Sequence, residues 1–135
     1  MICIDTTVLI DEFRARGRRD APVNQTLLAH GAEILIVPVM AAGEFLDGAS
    51  MVSEARFHES LEILRRRRVV GADLETAQHY GRIVAALRRA KALAGKSQSD
   101  LWIAATARSH GAKVLTRNAS DFEGIPGLEV VGYGG

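Results

Sequence analysis

Residues 2–13, ICIDTTVLIDEF, contain the transition on which the fold turns. Ile2–Ile4 is a wholly apolar run that stops at Asp5, and Thr7–Phe13 then reads as a helix. A short strand without a polar face belongs in a parallel sheet covered on both sides. In such sheets ligands bind at the carboxyl ends of the strands, near the point where strand order reverses. Asp5 occupies such an end. A carboxylate flanked by apolar residues is costly unless it is paired, hydrogen-bonded or on a metal.

The same alternation continues along the chain. Pro22 suits the first turn of a helix running to about His30, which Gly31 stops. Ile34–Val37 reads as a second buried strand, and Pro38 can open the next helix. Met51 to Arg68 and Asp73 to Ala94 are the longest helical patterns, with Asp73 as N-cap of the second. Val69–Val70 between them is a short strand or a connector. Ser99 is placed to cap a helix through LWIAATARSH to Gly111, and Val114–Thr116 and Leu128–Val131 are the last strands. Strands alternating with helices predict an α/β fold: a three-layer α/β/α sandwich with a mostly parallel central sheet.

The 135 residues fit one domain, 1–135, with a single core. At 47% hydrophobic and 24% charged, the composition is that of a soluble globular chain. No apolar run reaches the roughly 20 residues that span a bilayer, and no basic stretch precedes an apolar one at the N-terminus, so neither a membrane nor a secretory signal is expected. Cys3 is the only cysteine, which excludes an internal disulfide and fits a reducing cytoplasm. It reads as a small buried strand residue.

Three further acids share the setting of Asp5. Glu44 lies in AAGEFL, an apolar helical segment where a solvated Glu is out of place. Asp100 stands in the first turn of its helix, and Asp121 lies in the polar turn NASDFEG after the fourth strand. Singly, Asp5 could cap a helix, Asp100 could complement a helix dipole and Asp121 could shape a turn. Jointly, four carboxylates without neighbouring basic partners point to divalent cations. Two such ions can activate water and stabilise the leaving oxygen of a phosphodiester. Mg²⁺ and Mn²⁺ favour carboxylate oxygens and require no His or Cys cluster. The histidines (30, 58, 79 and 110) are scattered and show no zinc spacing. The net charge is +1, and setting these four acids aside leaves +5 on the remaining surface, a basic rim suited to phosphates.

These segments carry a resemblance. DTTVLID, the Glu in a small-residue helix, SDLWIAATA and TRNASDFEGIPGLEV together resemble the PIN-domain family, and within it the VapC-type toxins of toxin–antitoxin pairs. The resemblance spans essentially the whole chain. It implies a flavodoxin-like sandwich, Mg²⁺ or Mn²⁺, and cleavage of single-stranded RNA. The family's metal-binding acids fall on Asp5, Glu44, Asp100 and Asp121, and the hydroxyl that supports the first acid falls on Thr6. Thr116 and Asn118 match polar positions beside the fourth acid. Thr7 and Ser99 depart from the pattern, since the family often has Asn at both. The resemblance also implies a homodimer and a small antitoxin partner, with the helices from Met51 to Ala94 as candidate groove or seam.

Arg117 and Lys96 are nearest the acids in sequence and are the candidate phosphate contacts. The basic loop Arg14–Arg19 could clamp RNA or simply be flexible. Arg65–Arg68 ends a helix, where cations are favourable in any case. Trp102 reads as core, Asp47 as a surface or outer acid, and Asp11 and Glu12 as solvated. Two rival enzymes fit poorly. Haloacid-dehalogenase-like phosphatases need a second Asp where Thr7 stands, and receiver domains need a phosphoacceptor Asp and a late-strand Lys. A catalytically silent RNA- or protein-binding module, or another metal-dependent phosphatase, stays open at this level.

Overall fold

The computed structural model describes residues 1–134; Gly135, the last residue of the expected domain, lies outside the described residues. The elements are β1 (Ile2–Ile4), α1 (Thr6–Arg14), α2 (Pro22–Ala29), β2 (Leu35–Pro38), α3 (Val39–Ser50), α4 (Glu54–Arg65), β3 (Val69–Val70), α5 (Leu74–Arg89), α6 (Gln98–Ser109), β4 (Lys113–Thr116), a 3₁₀ turn (Ala119–Phe122) and β5 (Val130–Gly132). The five strands form one sheet in the order β3-β2-β1-β4-β5. Every neighbouring pair is parallel, with Cys3 of β1 opposite Ile36 of β2 and Val114 of β4.

Ile2, Cys3 and Ile4 point alternately to the two faces of the sheet, and all three are fully buried. Both faces are therefore covered by helices, as the apolar strands require. Ile36, Val37, Val114 and Leu115 continue this core across the neighbouring strands. Burial pushes the Cys3 thiol far above its usual range, so it packs as an apolar residue and is no nucleophile. Among the described residues no helix is long and apolar enough to cross a membrane.

The helix boundaries differ from the sequence expectation where caps intervene. α4 begins at Glu54, not Met51, because the Ser53 hydroxyl accepts the Arg56 N–H at 3.0 Å. Met51 and Val52 are left in the preceding turn, 82% and 66% exposed. α6 is capped by Ser97, which accepts the Asp100 N–H at 3.0 Å, and this frees Ser99 for another task. α5 stops at Arg89, short of Ala94. Lys91 there takes φ 54°, and the Ala92 N–H closes on the Leu87 carbonyl at 2.8 Å. The end of α6 repeats this wrap with Gly111 at φ 64° and Ala112 N–H on the Ala107 carbonyl at 2.8 Å. The apolar stripe of α5 is largely satisfied, since Ile83 and Leu87 are buried, while Leu74 stays 78% exposed.

The two helix ends make a matched test of left-handed backbone cost. Lys91→Gly should stabilise the protein by about 0.5–1 kcal/mol, and Gly111→Ala should destabilise it by about 1 kcal/mol. Urea denaturation of the two variants should move the midpoint in opposite directions.

Candidate metal centre

β1 delivers Asp5 to the carboxyl edge of the sheet, beside β4, where strand order reverses. Asp5 is the N-cap of α1 and is only 4% exposed. Its Oδ1 accepts the Thr6 N–H at 2.7 Å. Its Oδ2 accepts the hydroxyls of Thr7 at 3.0 Å and Thr116 at 2.8 Å. Each hydroxyl in turn accepts a backbone N–H from the turn after β4: Arg117 to Thr7 at 3.2 Å, and Asn118 to Thr116 at 3.0 Å. The turn is thus wired to the carboxylate through two hydroxyl relays. Burial still raises the pKa of Asp5, with Glu44 adding to the rise and these donors pulling against it.

Glu44 is exposed on α3 and faces this edge. Its Oε1 accepts the Thr6 hydroxyl at 2.8 Å and the Ser99 hydroxyl at 2.7 Å. Among the described residues Oε2 has no protein donor. The apolar setting that made Glu44 look buried is one face of α3, where Ala41, Ala42 and Phe45 enter the core. The carboxylate itself opens into the cleft. Thr6 therefore supports Glu44 with its hydroxyl and Asp5 with its N–H, rather than Asp5 by its hydroxyl. Thr7 and Ser99, the two departures from the family pattern, are the residues whose hydroxyls hold the first and second acids. The sequence marks the two only as departures from that pattern, and their hydrogen bonds to the acids emerge only in the fold.

Asp100 stands in the first turn of α6 and Asp121 in the 3₁₀ turn, exposed. Asp100 is raised to about 6, first by burial and then by the charges of Asp5, Asp121 and Glu44, against a contribution from Ser97. All four acids therefore lie in one electrostatic field. Among the described residues, no three His, Cys, Asp or Glu side chains stand close enough together to hold one metal ion. The donor set suits Mg²⁺ or Mn²⁺, being carboxylate oxygens held by hydroxyls, with Cys3 sealed in the core and no histidine at the cleft. The N-termini of α1 and α6 both open here, favouring negative charge.

The two expected phosphate contacts are engaged within the protein. Arg117 donates to Asp11 Oδ1 at 2.5 Å, while the Tyr133 hydroxyl donates to Asp11 Oδ2 at 2.7 Å. Asp11 is thus a half-buried hub and not a solvated residue. Lys96 donates to the carbonyls of Ser120 at 3.3 Å and Asp121 at 3.1 Å, which pins the loop before α6 to the turn that carries the fourth acid. Glu12 is likewise paired, with Arg67. Asn118 is exposed and meets Thr116 through its backbone N–H. Trp102 is half-buried and stacks on Tyr80, centroids 4.1 Å apart, so it joins α6 to α5.

A parallel α/β domain with carboxylates gathered at its switch point defines the class, and the family follows. The PIN-domain family model matches residues 2–128, and the chain belongs to that family. It is 32% identical to the VapC ribonuclease Y4jK of Sinorhizobium fredii, over 97% of this chain and 96% of that protein. It is 31% identical to ribonuclease VapC4 of Mycobacterium tuberculosis, over 70% and 74%. Among solved structures, VapBC2 from Rickettsia felis bound to a promoter DNA fragment superposes with a TM-score of 0.83 at 20% identity, covering 99% of this chain and 100% of that one, which establishes the fold.

The raised pKa of Asp100 has a consequence for the metal-free protein. The folded state holds the proton more tightly than the unfolded chain, whose value is near 3.8. The contribution of Asp100 to stability is therefore fully present below that value and is lost as pH rises from about 4 to 6. In EDTA, Asp100→Asn should flatten this fall and be the more stable protein at pH 7. The gain should be about 1 kcal/mol, after discounting for solvent screening in an open cleft. Thermal melts across that pH range check both points.

Proposed function

We propose that this protein is a divalent-cation-dependent endoribonuclease, the toxin of a toxin–antitoxin pair, with its site at Asp5, Glu44, Asp100 and Asp121. The observation that supports the reading is the hydrogen-bond chain at this edge: Thr6 joins Asp5 to Glu44, Ser99 beside Asp100 donates to the same Glu44, and Lys96 ties the loop before α6 to the turn that carries Asp121. The names of relatives similar over nearly the full chain support RNA as the substrate. A toxin–antitoxin complex from Klebsiella pneumoniae, 28% identical over 97% of this chain with a TM-score of 0.72, supports a small antitoxin partner. The chain acts in the cytoplasm as a homodimer on this reading.

Mg²⁺ or Mn²⁺ held by these acids would supply water activation and stabilise the leaving oxygen during phosphodiester cleavage. The protein's own part is placement. Thr6, Thr7, Thr116 and Ser99 fix two carboxylates before any ion arrives, so little side-chain freedom is lost on binding. The N-termini of α1 and α6 favour a phosphate at the same edge. Lys96 and Arg117 act by holding the loop and turn of the site, and their second role as substrate contacts needs only a shift of partner.

With Mn²⁺, the protein should cut single-stranded RNA to 5′-phosphate and 3′-hydroxyl ends, and EDTA should stop it. Asp100→Ala should lower cleavage by at least about 10²–10³-fold while circular dichroism shows the fold retained. Binding of RNA without cleavage in Mn²⁺ would make the chain a binding module instead. Thr116→Val removes one donor from buried Asp5 and should weaken Mn²⁺ binding by about 10–100-fold, read by calorimetry.

A further inference from the structure

A second feature opens beside Glu44. Helices α1, α3 and α4 leave a cleft of about 170 Å³ between them, and its lining includes both Glu44 and Ser60. That volume is below the roughly 300 Å³ at which small-molecule pockets begin, so it holds one ring or one side chain. Ser60 is fully buried, yet its hydroxyl has no hydrogen-bond partner. A buried polar group without a partner is rare and marks a place where a ligand or water completes the bond.

The lining suits a nucleotide. The Arg56 guanidinium carbon lies over the Phe13 ring, 3.8 Å from its centroid, and such a cation is of the kind on which bases stack. Arg14 lies exposed at the mouth. Neither arginine has a carboxylate partner among the described residues, whereas Arg16, Arg65, Arg67 and Arg117 are all paired. Gly48 forms part of the wall from the last turn of α3, and a Cβ added there meets nothing within 4 Å. A long side chain at this position would extend into the open space beside it.

We propose that this cleft is a nucleotide subsite of the RNA substrate. One base enters it and meets the Ser60 hydroxyl, and the phosphates on either side of that base meet Arg14 and Arg56. The inference rests on the ribonuclease reading and adds where sequence preference arises. A base seated here brings its own phosphate to the edge that Glu44 shares with Asp5 and Asp100, which couples base choice to cleavage.

The test uses the full chain in Mn²⁺ and four single-stranded hexaribonucleotides that differ at one position next to the cut. Wild type should prefer one base. Gly48→Leu should lower kcat/KM on the preferred strand by about tenfold or more and level the four strands, while its Mn²⁺-dependent rise in melting temperature stays intact. Ser60→Ala should narrow the preference several-fold. The Arg14→Ala/Arg56→Ala double variant should reduce the salt slope of RNA binding by about 1.4, two single-strand phosphates' worth. Unchanged cleavage and preference in a folded Gly48→Leu protein would overturn the subsite and leave the ribonuclease reading standing. If that variant instead loses only its antitoxin, the cleft belongs to a protein partner and the subsite fails. A wild type that neither binds nor cuts RNA overturns both.

Discussion

Asp5 sits at the end of the central strand, 4% exposed, and a carboxylate there must be compensated or the sheet edge does not hold. The compensation comes from one N–H and two hydroxyls, and the hydroxyls are themselves fed by the backbone of the turn after β4. This couples three things that the chain order separates: the start of α1, the end of β4 and the loop toward the fourth acid. The donors do not fully offset burial, since the pKa of Asp5 remains raised. A bound cation would offset the part that these donors leave unmet, which is the role the proposed function gives this buried acid.

Charge elsewhere is organised around that centre. Of the arginines that count toward the basic rim expected from the charge balance, Arg67 and Arg117 are engaged by the half-buried Glu12 and Asp11, while Arg16 and Arg65 pair with exposed glutamates. Asp11 receives Arg117 and Tyr133 together and so ties α1 to the residues that follow β4 and β5. Arg14 and Arg56, two of the arginines without a carboxylate partner among the described residues, line a cleft with Glu44 and come from helices distant in sequence from Asp100 and Asp121. Proximity along the chain singled out Lys96 and Arg117 because nothing in a linear pattern shows which carboxylate an arginine will find.

The strands were legible because parallel, doubly covered strands have no polar alternation to blur them, and Ile2–Ile4 and Val114–Thr116 reappear within a residue of their expected limits. Helix ends were less so. Met51 and Val52 continue an apolar pattern and look helical, but Ser53 wins the cap. Ser97 and Ser99 are equally good capping residues by type, and only the geometry of the loop gives the cap to Ser97 and turns Ser99 toward Glu44.

The sequence by itself determined the α/β alternation, the burial of the central strands and the four acids worth considering, because each follows from local hydrophobic pattern and chain position. Their shared field, the hydroxyl relays on Asp5, the exposure of Glu44 and the open cleft at Gly48 were decided only by tertiary structure. These depend on contacts between residues up to 111 positions apart, such as Thr116 with Asp5. A hydrogen bond of that kind has no local signature: a threonine that ends a strand and one that holds a carboxylate are the same residue until the sheet sets β4 beside β1.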